Sequence, residues 1–184
     1  MREGISEDYD YIRPIEHFIN PLTPTYEFLK EVIDRLKEIN AIVIHPNTDS
    51  EFIEIVDYEN GSFRYYPYKV KWGLNVKSDG FSKVSLIELI INPLDLEQSN
   101  YDEAIQLWRK IALYESIEYF IYSVENILGI DYEIGDRTKT VLNDLINDYS
   151  VAQIYGILYK ATNNALRFQA EKGVTSKHAS NTII

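Results

Sequence analysis

The sequence predicts an α+β protein: an N-terminal helix with a small antiparallel sheet, joined to an all-helical second half. Three observations carry that expectation. Asn60-Gly61 stands between two runs rich in β-branched and aromatic residues, the strongest short-range signal for a hairpin. Residues 24–39, and most of the chain beyond residue 99, place apolar side chains at helical spacing. Strand-like patterning is confined to residues 41–72. At 184 residues, 45% hydrophobic and 26% charged, the chain suits one globular domain or two small subdomains.

In order, residues 1–22 are polar, are interrupted by Pro14 and Pro21, and read as an N-terminal arm. Thr23-Pro24 reads as a helix start, with Thr23 as N-cap and Pro24 at the first helical position. Tyr26, Leu29, Val32, Ile33 and Leu36 then share one face of a helix over 24–39. Residues 41–45 are a short apolar run stopped by Pro46-Asn47, a strand. The hairpin follows, its strands at 51–58 and 62–72. A two-residue turn would set Tyr58 opposite Phe63, Asp57 opposite Arg64, and Val56 opposite Tyr65. Ile55 then meets Tyr66 and Ile53 meets Tyr68, so both faces are largely apolar and both call for cover. Pro67 lacks an N–H and marks an edge or a bulge. The order helix, strand, hairpin is also that of a winged helix.

Ser85 and Glu88 form a capping box in a short helix over 83–91, which Pro93 ends. Residues 92–98 read as a linker, dividing an α+β subdomain at 23–98 from a helical subdomain at 99–184. Asn100 and Glu103 open a long helix that runs to Leu128 and is closed by Gly129. Asp136 opens a second over 137–147; Ser150 and Gln153 open a third, closed by Gly173. Thr175-Ser176 starts a last helix whose apolar end, Ile183-Ile184, is also the end of the sequence. A helix ending on bare isoleucines predicts a chain truncated at its C-terminus.

Composition excludes several classes. Without cysteine there is no thiol nucleophile, no redox pair and no cysteine-ligated zinc. The longest apolar stretches fall far short of the roughly 18 residues that span a bilayer, and the acidic first ten residues are no secretory signal, so a cytoplasmic protein without membrane contact is expected. The abundance of Ile, Tyr and Asn, which have AT-rich codons, points to a bacterial, phage or mobile-element source. The net charge of −11 disfavours nucleic acid as a partner, since phosphate neutralisation supplies most non-specific affinity. That charge is uneven: residues 1–136 hold 12 Lys and Arg against 26 Asp and Glu, residues 137–184 hold 6 against 3.

Four constellations are candidate sites. Lys69, Lys71, Trp72 and Lys77, with Phe63, Tyr65 and Tyr66 before them, interleave cations with aromatics as single-strand binders do. The competing reading is a sheet core whose lysines protect an edge strand. The winged-helix order lacks a suitable recognition helix, because residues 24–39 carry Glu27, Glu31, Asp34 and Glu38 against Lys30, Arg35 and Lys37. The helices at 137–147 and 151–172 fit a packed hairpin better than helix-turn-helix. Glu118 and Glu125, seven residues apart at the margin of the long helix's apolar stripe, are the one candidate acid–base pair; an ordinary ion pair with a neighbouring helix produces the same pattern. His17, His45 and His178 stand alone, without metal-ligand spacing, and no glycine-rich nucleotide loop or nucleophile elbow is present. No metal or cofactor is expected. The sequence therefore favours a non-catalytic interaction or regulatory module, with a protein partner or a second copy of itself as ligand. Nucleic-acid association through the hairpin and a metal-independent enzyme using Glu118 and Glu125 are the alternatives.

Overall fold

The computed structural model describes residues 4–57, 59–76, 80–91 and 101–184. The chain is α+β and forms two compact units, Met1–Glu97 and Gln98–Ile184. The expectations for Tyr58, Lys77, the 92–98 linker and Asn100 fall outside the described residues.

In the first unit, helix α1 spans Tyr26–Glu38. Its N-cap is Thr25 rather than Thr23: Thr25 is extended, and its Oγ1 accepts the Phe28 N–H at 3.1 Å. Thr23 instead donates its hydroxyl to the Thr25 carbonyl at 2.9 Å, bracing the turn one step earlier. The buried face is Phe28, Leu29 and Ile33, while Tyr26, expected in it, is 77% exposed.

Strands β1 (Ile42–Ile44), β2 (Ile53–Asp57), β3 (Ser62–Tyr65) and β4 (Trp72–Leu74) form two separate two-stranded sheets, both antiparallel. β1 pairs with β4, setting Ile42 opposite Leu74 and Ile44 opposite Trp72. The single strand expected over 62–72 is thus divided between the sheets. The break is a turn over Tyr66–Val70 containing Pro67, closed by Lys69 and Val70 N–H bonds to the Tyr66 carbonyl. Because β1 pairs with β4 and not with the hairpin, the helix–strand–hairpin order does not produce a wing on one sheet.

The hairpin register also differs. Ile53 faces Tyr65, Glu54 faces Arg64 and Ile55 faces Phe63, with an irregularity before Asp57 meets Ser62. The cause is local. Asp57 Oδ1 accepts the N–H groups of Glu59 and Asn60, and its Oδ2 accepts the Asn60 side-chain amide at 2.6 Å. With Gly61 at φ +65°, this carboxylate organises a longer turn than a two-residue Asn-Gly loop. Ile53, Ile55, Phe63 and Tyr65 therefore share one hairpin face.

Residues 4–22 are not a free arm. Ile12 exchanges both backbone hydrogen bonds with Trp72, at 2.7 and 3.1 Å, and forms a further bridge with Ile5. The core beneath is Leu29, Ile33, Ile42, Val70 and Trp72, with Ile12, Phe52, Ile53 and Tyr65 against it. Helix α2 (Lys83–Ile91) starts from Ser82, whose Oγ accepts the Ser85 N–H at 3.1 Å, so Ser85 lies inside the helix and not at its cap.

The described elements of the second unit are all helices. α3 (Tyr101–Leu128) packs against α4 (Asp136–Asp148) and α5 (Val151–Lys172) around Phe120, Val124, Leu142, Ile154 and Leu158. Gly129 at φ +66° ends α3, and Ser150 with Gln153 forms the expected capping box of α5. The buried hydroxyls of Ser116 and Thr162 are satisfied by carbonyls one turn back, each at 2.8 Å. α6 (Ser176–Ser180) is shorter than expected: Thr182 and Ile183 turn back onto the Ala179 and Ser180 carbonyls, leaving Ile183-Ile184 outside the helix and half-buried.

Candidate functional site

Among the described residues, the basic-aromatic constellation is buried at Trp72 and paired within the protein at Lys69 and Lys71. Trp72 is 2% exposed, and its indole donates to the Pro67 carbonyl at 3.1 Å, so it offers no face to a stacked base. Lys71 donates to the Asn47 carbonyl at 2.8 Å, lies 3.9 Å from Asp49 and sits 5.6 Å from the Tyr11 ring centre. Lys69 lies over Phe52 and Tyr66, 5.4 and 5.7 Å from their ring centres. Both lysines are thus engaged by the protein itself. Lys77, the fourth member, lies outside the described residues. Glu118 and Glu125 are exposed on α3, not half-buried at the margin of its stripe, because the buried face runs through Ser116, Ile117, Phe120 and Val124. Among the described residues nothing encloses the two carboxylates as an acid–base pair requires.

A polar cluster that the sequence did not signal surrounds His45. Its Nε2 lies 3.0 Å from Asp10 Oδ2, across 35 positions, and its Nδ1 accepts the Asn47 N–H at 3.2 Å. Lys83 bonds the other Asp10 oxygen. The hydrogen bond from Lys83, aided by that from His45, outweighs partial desolvation and holds the Asp10 carboxyl below its ordinary range. An aspartate orienting a histidine is also the rear half of a hydrolytic triad, but a triad leaves the second ring nitrogen free for a nucleophile. Here a backbone N–H already occupies it, so the ring is held between Asp10 and the Asn47 amide rather than presented to a nucleophile. The cluster ties the N-terminal segment and α2 to the end of β1. Among the described residues, no group of three or more His, Asp or Glu is placed to hold a metal ion.

Beside His45 opens a groove of about 480 Å³, bounded by Ile44, His45 and Pro46 on one wall and by Ile53, Ile55, Gly61 and Phe63 on the other. Its far wall is the hairpin face created by the observed register, with Ile55 and Phe63 half-exposed. Its near wall is the outer edge of β1. Antiparallel pairing alternates the direction of backbone groups. The Ala41 carbonyl and the His45 N–H bond towards β4, so the N–H and C=O of Ile42 and Ile44 point to the open edge. Among the described residues no partner takes them. The surroundings are acidic on balance: residues 46–64 hold Asp49, Glu51, Glu54, Asp57 and Glu59 against one base, Arg64, which faces Glu54. Asp57 is kept ionised in the turn, its carboxyl held below the usual range by Asn60.

The second unit has a more polar hollow of about 430 Å³ between α3 and α4, bordered by Gln106, Arg109, Lys110, Asn143 and Asn147. Its α4 side is a helix C-terminal end, where the backbone dipole opposes a bound anion. On the other side of α3, Tyr119 stacks on Tyr155 at 4.1 Å, and burial, then Glu115, pushes the Tyr155 hydroxyl above its ordinary range. No helix among the described residues is long and apolar enough to cross a membrane. In comparison with known proteins, no family model matches the chain, and no curated protein or solved structure is significantly similar to it.

Proposed function

We propose that this chain is a non-catalytic interaction module that receives an extended, basic segment of a protein partner as an added strand on β1. The observation carrying this reading is the open β1 edge beside an apolar wall. Ile42 and Ile44 present four backbone groups without a described partner, and Ile44, Ile53, Ile55 and Phe63 line the adjoining groove. Strand addition uses those two features together: backbone hydrogen bonds supply affinity, and alternate side chains entering a groove supply selectivity. The acidic residues of 46–63 favour cations on the outward positions of the incoming strand. Pro46, having no N–H, limits pairing at that end. The same acidity, with Lys69, Lys71 and Trp72 engaged internally, supports a peptide over a nucleic acid.

The test is NMR titration of the whole chain with a short synthetic peptide alternating Val and Lys. Binding shifts the amides of residues 42–45 and of the Ile55–Phe63 wall, and the Ile55→Lys/Phe63→Lys variant, altered only at half-exposed positions, loses the effect. The alternating Val–Glu peptide is the control and leaves the spectrum unchanged. If no β1 amide moves at about 1 mM peptide, or if both peptides bind equally, the proposal fails.

A further inference from the structure

We infer that the N-terminal turns of α3 are a self-recognition surface, on which two copies of this chain pair antiparallel about a two-fold axis near Ile105. From Tyr101 to Lys110 every residue except Ala104 is exposed, and burial along the helix begins only at Ala112. Tyr101, Ile105 and Trp108, spaced by four and three residues, make one apolar stripe, and they are 53%, 49% and 56% exposed. A Trp, a Tyr and an Ile in one exposed line exceed the scattered hydrophobics of an ordinary surface and mark an interaction face.

The charge pattern identifies the occupant. Asp102 and Arg109, both exposed, stand seven residues apart, on the same edge of that stripe. When two identical helices pair antiparallel, each edge meets its own copy running in reverse. Asp102 then faces Arg109 of the partner subunit, and Arg109 faces Asp102 of the partner subunit, while Tyr101 packs over the partner's Trp108. The pattern is its own complement. Net charge points the same way: two chains of −11 repel each other over most of their surface. Residues 101–111 hold two acids and two bases, a locally neutral window through which a second copy can approach. Because the stripe covers only two to three turns, the pair buries less than the roughly 1,600 Å² of a standard interface and is concentration-dependent.

The inference concerns a different unit from the β1 groove and stands apart from the peptide reading, so either can fail alone. The test is sedimentation equilibrium of the whole chain from about 1 to 500 μM. The parent passes from monomer to dimer, and Trp108 fluorescence shifts to the blue with it. Asp102→Arg and Arg109→Asp, each replacing two opposite-charge pairs by two like-charge ones, weaken dimerisation about fivefold or more. The doubly exchanged variant recovers the parent's constant, an outcome that a loss of folding cannot imitate, and circular dichroism checks each single variant. A strictly monomeric parent at the highest concentration overturns the inference. So does a dimer indifferent to the single reversals or not rescued by the exchange.

Discussion

Trp72 gives the sharpest test of where the first unit keeps its core. Its indole is 2% exposed, meets Tyr65 edge-on with ring centres 5.9 Å apart, and donates Nε1–H to the Pro67 carbonyl at 3.1 Å. Trp72→Phe preserves an aromatic ring but leaves that part-buried carbonyl without its donor, which costs about 1–2 kcal/mol. Trp72→Ala removes the ring from among Leu29, Ile33, Ile42 and Val70 and costs about 3–5 kcal/mol. A chain of two units has no single unfolding free energy, so the loss must be read inside the unit. The amides of His45 and Asn75 do this, since they bond across β1 and β4 to the Lys71 and Ala41 carbonyls at 2.8 Å each. Their native-state hydrogen exchange reports opening of that sheet. At tenfold per 1.4 kcal/mol, Trp72→Phe accelerates exchange about 5- to 30-fold and Trp72→Ala about 150- to 4,000-fold. Acceleration of less than about threefold in Trp72→Ala would refute the assignment of Trp72 to the core and return it to the surface as a candidate stacking residue.

Two further predictions concern local devices. Ser150→Ala removes one half of the α5 capping box and destabilises the second unit by about 1 kcal/mol. Gly173→Ala, at φ +63°, costs a similar amount through backbone strain even though its new methyl meets no atom within 4 Å, as urea unfolding of both variants will show. In the first unit, the depressed Asp10 carboxyl stabilises the fold fully above its unfolded value of about 3.9, and the contribution is lost as pH falls through the lower folded value. Carboxyl NMR should find its midpoint below the ordinary 3.8 and find it raised in Lys83→Ala; an unmoved midpoint would remove Lys83 as the cause.

How much of this was legible beforehand depends on the range of the interactions. Gly129, Gly173, Ser150 with Gln153, and Thr175 act within one helical turn, and the structure keeps each where the sequence placed it. Thr25 displaced Thr23 as the cap of α1 because two threonines two residues apart compete for one role, decided by which backbone is extended. The Asn60-Gly61 hairpin was visible, but its register was not, since the Asp57 carboxylate reaches into the turn and lengthens it. That shift decides which residues share the groove wall. Side chains still alternate along both strands, but counted from Ile55 opposite Phe63 rather than from a two-residue turn.

The sequence by itself determined the ends of α3 and α5, the hairpin's existence, the α+β class and the charge asymmetry, because caps, turns and apolar periodicity are properties of neighbours along the chain. Only the tertiary structure decided that β1 joins β4 across the hairpin, leaving its other edge unpaired among the described residues. It alone placed Trp72 inside and brought His45 against Asp10 from 35 residues away. It also left the Tyr101–Ile105–Trp108 stripe of α3 uncovered, while the continuation of the same helix is buried from Ala112 onward. Periodicity marks a face as apolar, but which faces find cover depends on the path of every other segment, and no local pattern encodes that path.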